Sequence, residues 1–106
     1  MTELPDPIQR LLDAANAGDQ RAFLTSFTAD GVVDDWGREF HGPRAIEKWS
    51  DAEFIGSQVS LEVGKVEERG GEYVVTAEVG GNGFVGPSHF SFRVAGDAIA
   101  RMTIRA

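Results

Sequence analysis

Two adjacent carboxylates, Asp34 and Asp35, stand in the run Val32-Val33-Asp34-Asp35-Trp36. The surrounding segment is apolar enough to be buried, and a carboxylate held among apolar groups is costly unless it has a use. Alternation along a strand puts Val33 and Asp35 on one face and Asp34 and Trp36 on the other. If Val33 faces inward, Asp35 does too. A carboxylate on the wall of an apolar pocket can remove a proton beside a carbonyl and return it elsewhere. Asp35 is therefore the leading catalytic candidate, ahead of Asp34. The plain alternative is that both are solvated at a strand end.

His89, beside Ser88, is the second catalytic candidate. A neutral imidazole could donate to a substrate oxygen or pair with Asp35. The alternation of Phe90 and Phe92 points His89 outward unless a bulge near Gly86-Pro87 reverses it. His41, in Phe40-His41-Gly42, precedes a helix start and is expected to satisfy local backbone groups. His41, His89 and Asp35 have no recognisable ligand spacing, so the chain calls for no metal. Gly81-Asn82-Gly83-Phe84-Val85-Gly86 matches G-x-G-x-x-G as text, but a dinucleotide fingerprint must leave a strand and open a helix. Pro87 and a strand follow here. The segment reads as a flexible connection that could gate a pocket mouth, and no cofactor is implied. Trp36, Trp49, Phe54, Tyr73 and Phe84 are candidate pocket-lining aromatics; ordinary core is the plain alternative and is favoured for Trp49, while Trp36 and Phe84 are favoured as lining because they flank loops.

Helical signals precede Gly56 and strand signals follow it, a segregation that reads as α+β. Asp6 is expected to cap the first helix, with Pro7 in its first turn. Ile8, Leu11, Leu12 and Ala15 form its apolar stripe, and Gly18 stops it. Asp19 caps a short second helix that buries Phe23, Leu24 and Phe27. Asp30-Gly31 reads as a turn, Val32 to Trp36 as a short strand that Gly37 ends, and Gly42-Pro43 as the start of a third helix carrying Ile46 and Trp49. Four strands then follow. Val59, Leu61 and Val63 alternate, and the register slips at Gly64 as at a bulge. Gly70-Gly71 turns into Tyr73, Val75, Ala77 and Val79. Phe90, Phe92 and Val94 form the next strand, Gly96-Asp97 turns it, and Ile99 to Ile104 is the last. Long bulged strands imply a curved sheet with the helices on its concave side.

The 106 residues bound the chain to one domain, residues 1–106. With 42% apolar and 25% charged residues it is an ordinary globule. A net charge of -7 with only ten scattered Lys and Arg argues against nucleic acid or an anionic membrane as partner. The absence of cysteine excludes disulfides and thiolate metal sites. No apolar run approaches the roughly 20 residues of a membrane span. The acidic start Met1-Thr2-Glu3-Leu4-Pro5-Asp6 is unlike a signal peptide, so a cytoplasmic location is expected.

Three helices, a short strand between the second and third, then four long antiparallel strands: this order resembles the nuclear transport factor 2-like superfamily, in its SnoaL-like and ketosteroid-isomerase-like branch. The resemblance is carried by Asn16-Ala17-Gly18-Asp19, Phe23 and Phe27, Thr28-Ala29-Asp30-Gly31, Val33-Asp34-Asp35, Gly42-Pro43, Ile46, Trp49, Phe90-x-Phe92 and Ile99-x-x-Met102. It spans roughly Ile8 to Ile104. It implies a cone-shaped curved antiparallel sheet wrapped around three N-terminal helices, a deep apolar cavity for a small apolar ligand, and a homodimer paired through the sheet. It also places Asp35 where ketosteroid isomerases carry their general base. Those enzymes stabilise the enolate oxygen with a tyrosine on the first helix and a protonated acid on a late strand. Here the tyrosine's place is Leu11, and the acid's falls near His89 or Phe90. Leu11 cannot donate a hydrogen bond, and losing one such donor typically costs ~2.7–4 kcal/mol of barrier. The implied ligand-binding set is Trp36, Leu11, Phe84, Tyr73 and Phe90. The implied activity is that of an isomerase, cyclase or dehydratase acting on a carbonyl compound; the alternative is a non-catalytic ligand-binding or dimerisation module.

Overall fold

The computed structural model describes residues 4–106, so the first three residues of the acidic start lie outside the described residues. Helix α1 spans Asp6–Ala17. Its N-cap is Pro5, which offers no side-chain cap. Asp6 is instead the first helical residue, where its charge favours the positive end of the helix dipole. Gly18 closes the helix in the left-handed region, at φ 69°, a conformation that glycine adopts without a Cβ penalty. Asp19 Oδ1 accepts from the Ala22 N–H at 3.1 Å and caps α2, Gln20–Thr25.

Strand β1, Phe27–Asp35, is longer than the sequence predicts, and Phe27 belongs to it rather than to α2. Asp30-Gly31 is not a free turn but part of an irregular detour within the strand, between Phe27 and Val32. Gly31 is needed there because a Cβ would come 3.0 Å from Phe27 Cβ. Gly37 does not end the sheet either. Trp36 and Gly37, at φ 56° and 90°, form a two-residue hairpin into β2, Arg38–His41. Positive φ at both central residues matches the twist of the flanking strands. β2 escapes a hydrophobic-pattern reading because Phe40 is its only apolar residue. Helix α3 follows, Gly42–Glu53, and then a 3-10 turn, Ile55–Ser57.

The remaining strands are β3, Ser60–Arg69; β4, Glu72–Gly80; β5, Gly86–Ala95; and β6, Ala98–Arg105. The register of β3 slips between Val63 and Lys65, at the glycine where a bulge is expected. The six strands form one curved, unclosed sheet in the order β2-β1-β6-β5-β4-β3. It is antiparallel except for β1 against β6, which run parallel, a departure from the wholly antiparallel sheet expected.

The inner face of the sheet carries Val33, Val75, Ala77, Phe90, Phe92, Met102 and Ile104, all buried. Against it lie Ile8, Leu11, Leu12 and Ala15 of α1, Phe23 of α2, and Ile46 and Trp49 of α3. Asn16 ties the end of α1 to β3: its Oδ1 accepts from the Leu61 N–H at 2.6 Å and its Nδ2 donates to the Leu61 carbonyl at 3.0 Å. The architecture is α+β, a curved sheet around three N-terminal helices. Among the described residues no helix is long and apolar enough to cross a membrane.

Candidate functional site

Asp35 ends β1 on the inner face, in register with Ile104 of β6, which in turn pairs with Phe90 of β5. It lines an open pocket of about 580 Å³. Asp34 turns to the other face, as alternation requires. The two carboxylates therefore have unlike surroundings.

The Asp35 side chain is 15% exposed. Its Oδ2 accepts from the Trp49 indole Nε1 at 3.1 Å and from Arg38 Nη2 at 2.5 Å. Among the described residues Oδ1 accepts no hydrogen bond. Trp49 is itself held between aromatic rings, with centroids 5.0 Å from Phe54 and 5.9 Å from Phe40. Arg38 also grips Glu53, the last residue of α3, through two parallel bonds of 3.0 and 2.7 Å. That bidentate contact lowers the Glu53 carboxyl below its usual range, and the two carboxylates together hold Arg38 firmly protonated, Glu53 contributing more. Arg38 and Glu53 both line the pocket.

Asp34 sits beneath two guanidinium groups. Arg105 donates to both of its oxygens, at 2.9 and 3.2 Å, and Arg101 to Oδ2 at 2.8 Å. The Gly37 N–H adds a bond of 2.8 Å to Oδ1. The Arg105 hydrogen bond is the largest cause pulling the Asp34 carboxyl below the ordinary aspartate range, against the opposing effect of burial. Asp34 is thus a structural ion pair rather than a solvated neighbour.

The pocket walls are mostly apolar. Phe90, Ile104 and Val79 come from the sheet, Val59 from just before β3, and Trp49 and Phe54 from the helical side. Ser88, two residues before Phe90, also faces in. It is only 2% exposed. Trp36 and Phe84 stand at the rim, 55% and 53% exposed. The connection Gly81–Gly86 joins two strands with no helix after it. It is tied down: the Asn82 N–H donates to the Ser57 carbonyl at 2.8 Å. Gly81 approaches the same turn so closely that a Cβ would lie 2.8 Å from the Gln58 carbonyl oxygen.

Five of the expected lining residues, Trp36, Trp49, Phe54, Phe84 and Phe90, meet at this pocket with Asp35, and Trp49 does so although the sequence favours ordinary core for it. Leu11 and Tyr73 do not. Leu11 is wholly buried under the helices, and Tyr73 is half-buried farther along β4, in register with Phe92. His89 is exposed on the outer face beside Arg105 and Thr76. The β4–β5 register runs unbroken through Pro87, so no bulge turns His89 inward to meet Asp35. His41 is the N-cap residue of α3, but its side chain makes no capping hydrogen bond and contacts Glu39 at 3.2 Å instead of satisfying local backbone groups. Sequence reasoning missed Arg38, Glu53 and the inward face of Ser88. Arg38 was hidden by reading Gly37 as a terminus. Ser88 carried a usable signal, because it shares the phase of Phe90 and Phe92.

A curved sheet closed by helices around a pocket with a carboxylate in its wall defines the nuclear transport factor 2-like class. The chain belongs to the SnoaL-like domain family within it, whose model matches residues 8–102. No curated protein matches the chain. Among solved structures, a Sinorhizobium meliloti protein provisionally described as a polyketide cyclase is 30% identical. The match covers 96% of this chain and 95% of that one, with a TM-score of 0.87. A Catenulispora acidiphila protein of ketosteroid isomerase-like fold, in complex with trimethylamine, is 23% identical over 98% and 87% of the two chains, with a TM-score of 0.81. A Mycobacterium tuberculosis protein in complex with estradiol-17beta-hemisuccinate is 16% identical over 94% and 90%, with a TM-score of 0.77. The latter two likenesses speak to the fold alone.

Proposed function

We propose that the pocket receives a small apolar carbonyl compound and that Asp35 acts on it as general acid/base, in an isomerase, cyclase or dehydratase type of reaction. The observation that carries this reading is the division of labour between the two Asp35 oxygens. Oδ2 is held by Trp49 and Arg38, while Oδ1 accepts no hydrogen bond among the described residues, and Asp35 lines a mostly apolar pocket. A base needs that combination: a locked orientation and one oxygen within reach of a carbon acid. The 30% identity to a protein described as a polyketide cyclase, and the small ligands in related folds, support the same class. Asp35 would take a proton from the carbon next to the carbonyl and deliver it to another atom of the same molecule. No turnover of the base is needed, because the carboxylate is regenerated at the end.

The test uses hydrogen exchange rather than a guessed substrate. 2-Acetonaphthone in deuterated buffer exchanges the protons beside its carbonyl slowly, and NMR reads the loss of signal. The wild type should accelerate that exchange, and Asp35→Asn should remove the acceleration while keeping the fold. Acceleration that survives in Asp35→Asn takes Asp35 out of the mechanism.

The second reading is a ligand-binding module without catalysis. Leu11 favours it, since it stands where the related isomerases have a donor and is sealed in the core. Ligand binding by a wild type that accelerates no exchange would select this reading. In either case we expect a homodimer, paired across the outer face of the sheet as in many relatives.

A further inference from the structure

Ser88 is out of place for an ordinary wall residue. It shares the pocket wall with the apolar Phe90, Ile104, Val59 and Val79, and with the polar Ser57 and Asn82. The residue is 2% exposed, yet its hydroxyl makes no hydrogen bond with the described residues. No fully enclosed side-chain oxygen lacks a partner among them, so the Ser88 Oγ keeps its residual accessible surface, and that surface is in the pocket. Placing a hydroxyl in an apolar wall without a protein partner is unfavourable. Its register partner on β4 is Ala77, which offers it no side-chain hydrogen-bonding group.

We infer that the Ser88 hydroxyl is a second polar anchor, and that the ligand is an elongated apolar molecule bearing a hydrogen-bonding oxygen at the end remote from Asp35. The inference rests on the reading of the pocket as a small-molecule site and specifies its ligand. Asp35, Ile104 and Phe90 lie side by side on adjacent strands, and Ser88 is two residues from Phe90. Two strand spacings across and two residues along place the Asp35 and Ser88 Cα atoms roughly 12 Å apart on a flat sheet, and somewhat less across a concave one. The stretch between them is Ile104 and Phe90, with no polar side chain. A matching ligand is therefore apolar in its middle, with polar atoms roughly 8–10 Å apart. The serine can donate or accept, so the remote oxygen is a hydroxyl or a carbonyl.

A matched pair of probes tests this: 2-acetonaphthone and 1-(6-hydroxynaphthalen-2-yl)ethanone, which differ only by a hydroxyl at the far end of the rings. The wild type should bind the hydroxylated ketone about three- to tenfold more tightly, the worth of one neutral hydrogen bond. Ser88→Ala should erase that preference and leave the affinity for 2-acetonaphthone within about twofold of wild type. In the wild type, the Ser88 amide resonance should shift more with the hydroxylated ketone than with its parent, a readout that needs no variant. An equal preference in Ser88→Ala, or no preference in the wild type, overturns the anchor while leaving the pocket reading intact. Failure of both ketones to bind the wild type overturns the pocket reading and the anchor with it.

Discussion

Asp34 and Asp35 are neighbours in the chain and opposites in use. One faces two arginines on the outer surface, the other a pocket. The alternation rule was enough to separate them, because a strand leaves no other choice once Val33 is buried. What alternation could not supply was the company each keeps. Arg38 reaches Asp35 only because a left-handed Trp36-Gly37 turn folds β2 back, and Arg101 and Arg105 reach Asp34 across a parallel pairing far apart in sequence. Two predictions belong at this scale. Trp49→Phe keeps the aromatic stack but removes the indole donor that holds Oδ2. Any proton-transfer rate should fall about tenfold with ligand affinity little changed, consistent with the loss of an orienting bond. Chemical denaturation should show a stability loss of about 2–3 kcal/mol, from the lost bond to a charged group and the space left by the indole. For Asp34 the sign follows from a folded-state carboxyl held below its ordinary value near ~3.9. Its ion pair stabilises the fold above that value, and the contribution disappears as pH falls through the lower, folded-state value. Asp34→Asn should therefore destabilise the protein at neutral pH by about 1–2 kcal/mol, discounted because both arginines are partly solvated. It should also flatten the dependence of stability on pH below about 4. Denaturant midpoints taken at pH 7 and pH 3 for both proteins measure this.

At the scale of elements, the long strands and the two long helices were legible because each has an apolar face with its own period. The features that shape the pocket were not. β2 has a single apolar residue, the detour after Phe27 looked like a turn, and the 3-10 turn Ile55–Ser57 follows α3 without any pattern of its own. Gly56, in that turn, shows how tightly the pocket wall is built. A Cβ there would fall 1.5 Å from the Asp51 carbonyl oxygen, a backbone atom of α3 that cannot swing away. Gly56→Ala should cost about 3 kcal/mol or more, at the upper end of overpacking effects, by pushing the turn off the helix. The same turn supports Asn82 through the Ser57 carbonyl, so the rim carrying Phe84 should loosen too. Urea denaturation gives the stability loss, and hydrogen exchange at the Asn82 amide reports the rim. Full stability in Gly56→Ala would mean that the turn can move independently of α3.

For the whole molecule, the outer face of the sheet carries the remaining question. Its centre runs through Val74, Ser91 and Thr103, which lie side by side in register and are only half exposed. Glu72 and Arg93, together with Arg101 and Arg105, flank this strip, and His89 stands at its edge. A mildly apolar centre ringed by charges of both signs suits a two-fold pairing, in which each copy offers the same patch and charged groups meet at the rim. In such a pairing His89 would stand beside the seam rather than in the pocket. That arrangement also explains why the sequence could suggest a dimer only by resemblance: the residues involved are ordinary surface types, and their grouping exists only once three strands are aligned. The protein should sediment at about twice its 11.5 kDa chain mass at micromolar concentration. Val74→Asp places a carboxylate in the centre of the strip, where the isolated chain can still solvate it but a paired sheet must bury it unpaired. The variant should sediment as a monomer with an unchanged far-ultraviolet circular dichroism spectrum. A wild type that remains monomeric rules out pairing at that concentration. A Val74→Asp variant that remains dimeric moves the interface away from this strip.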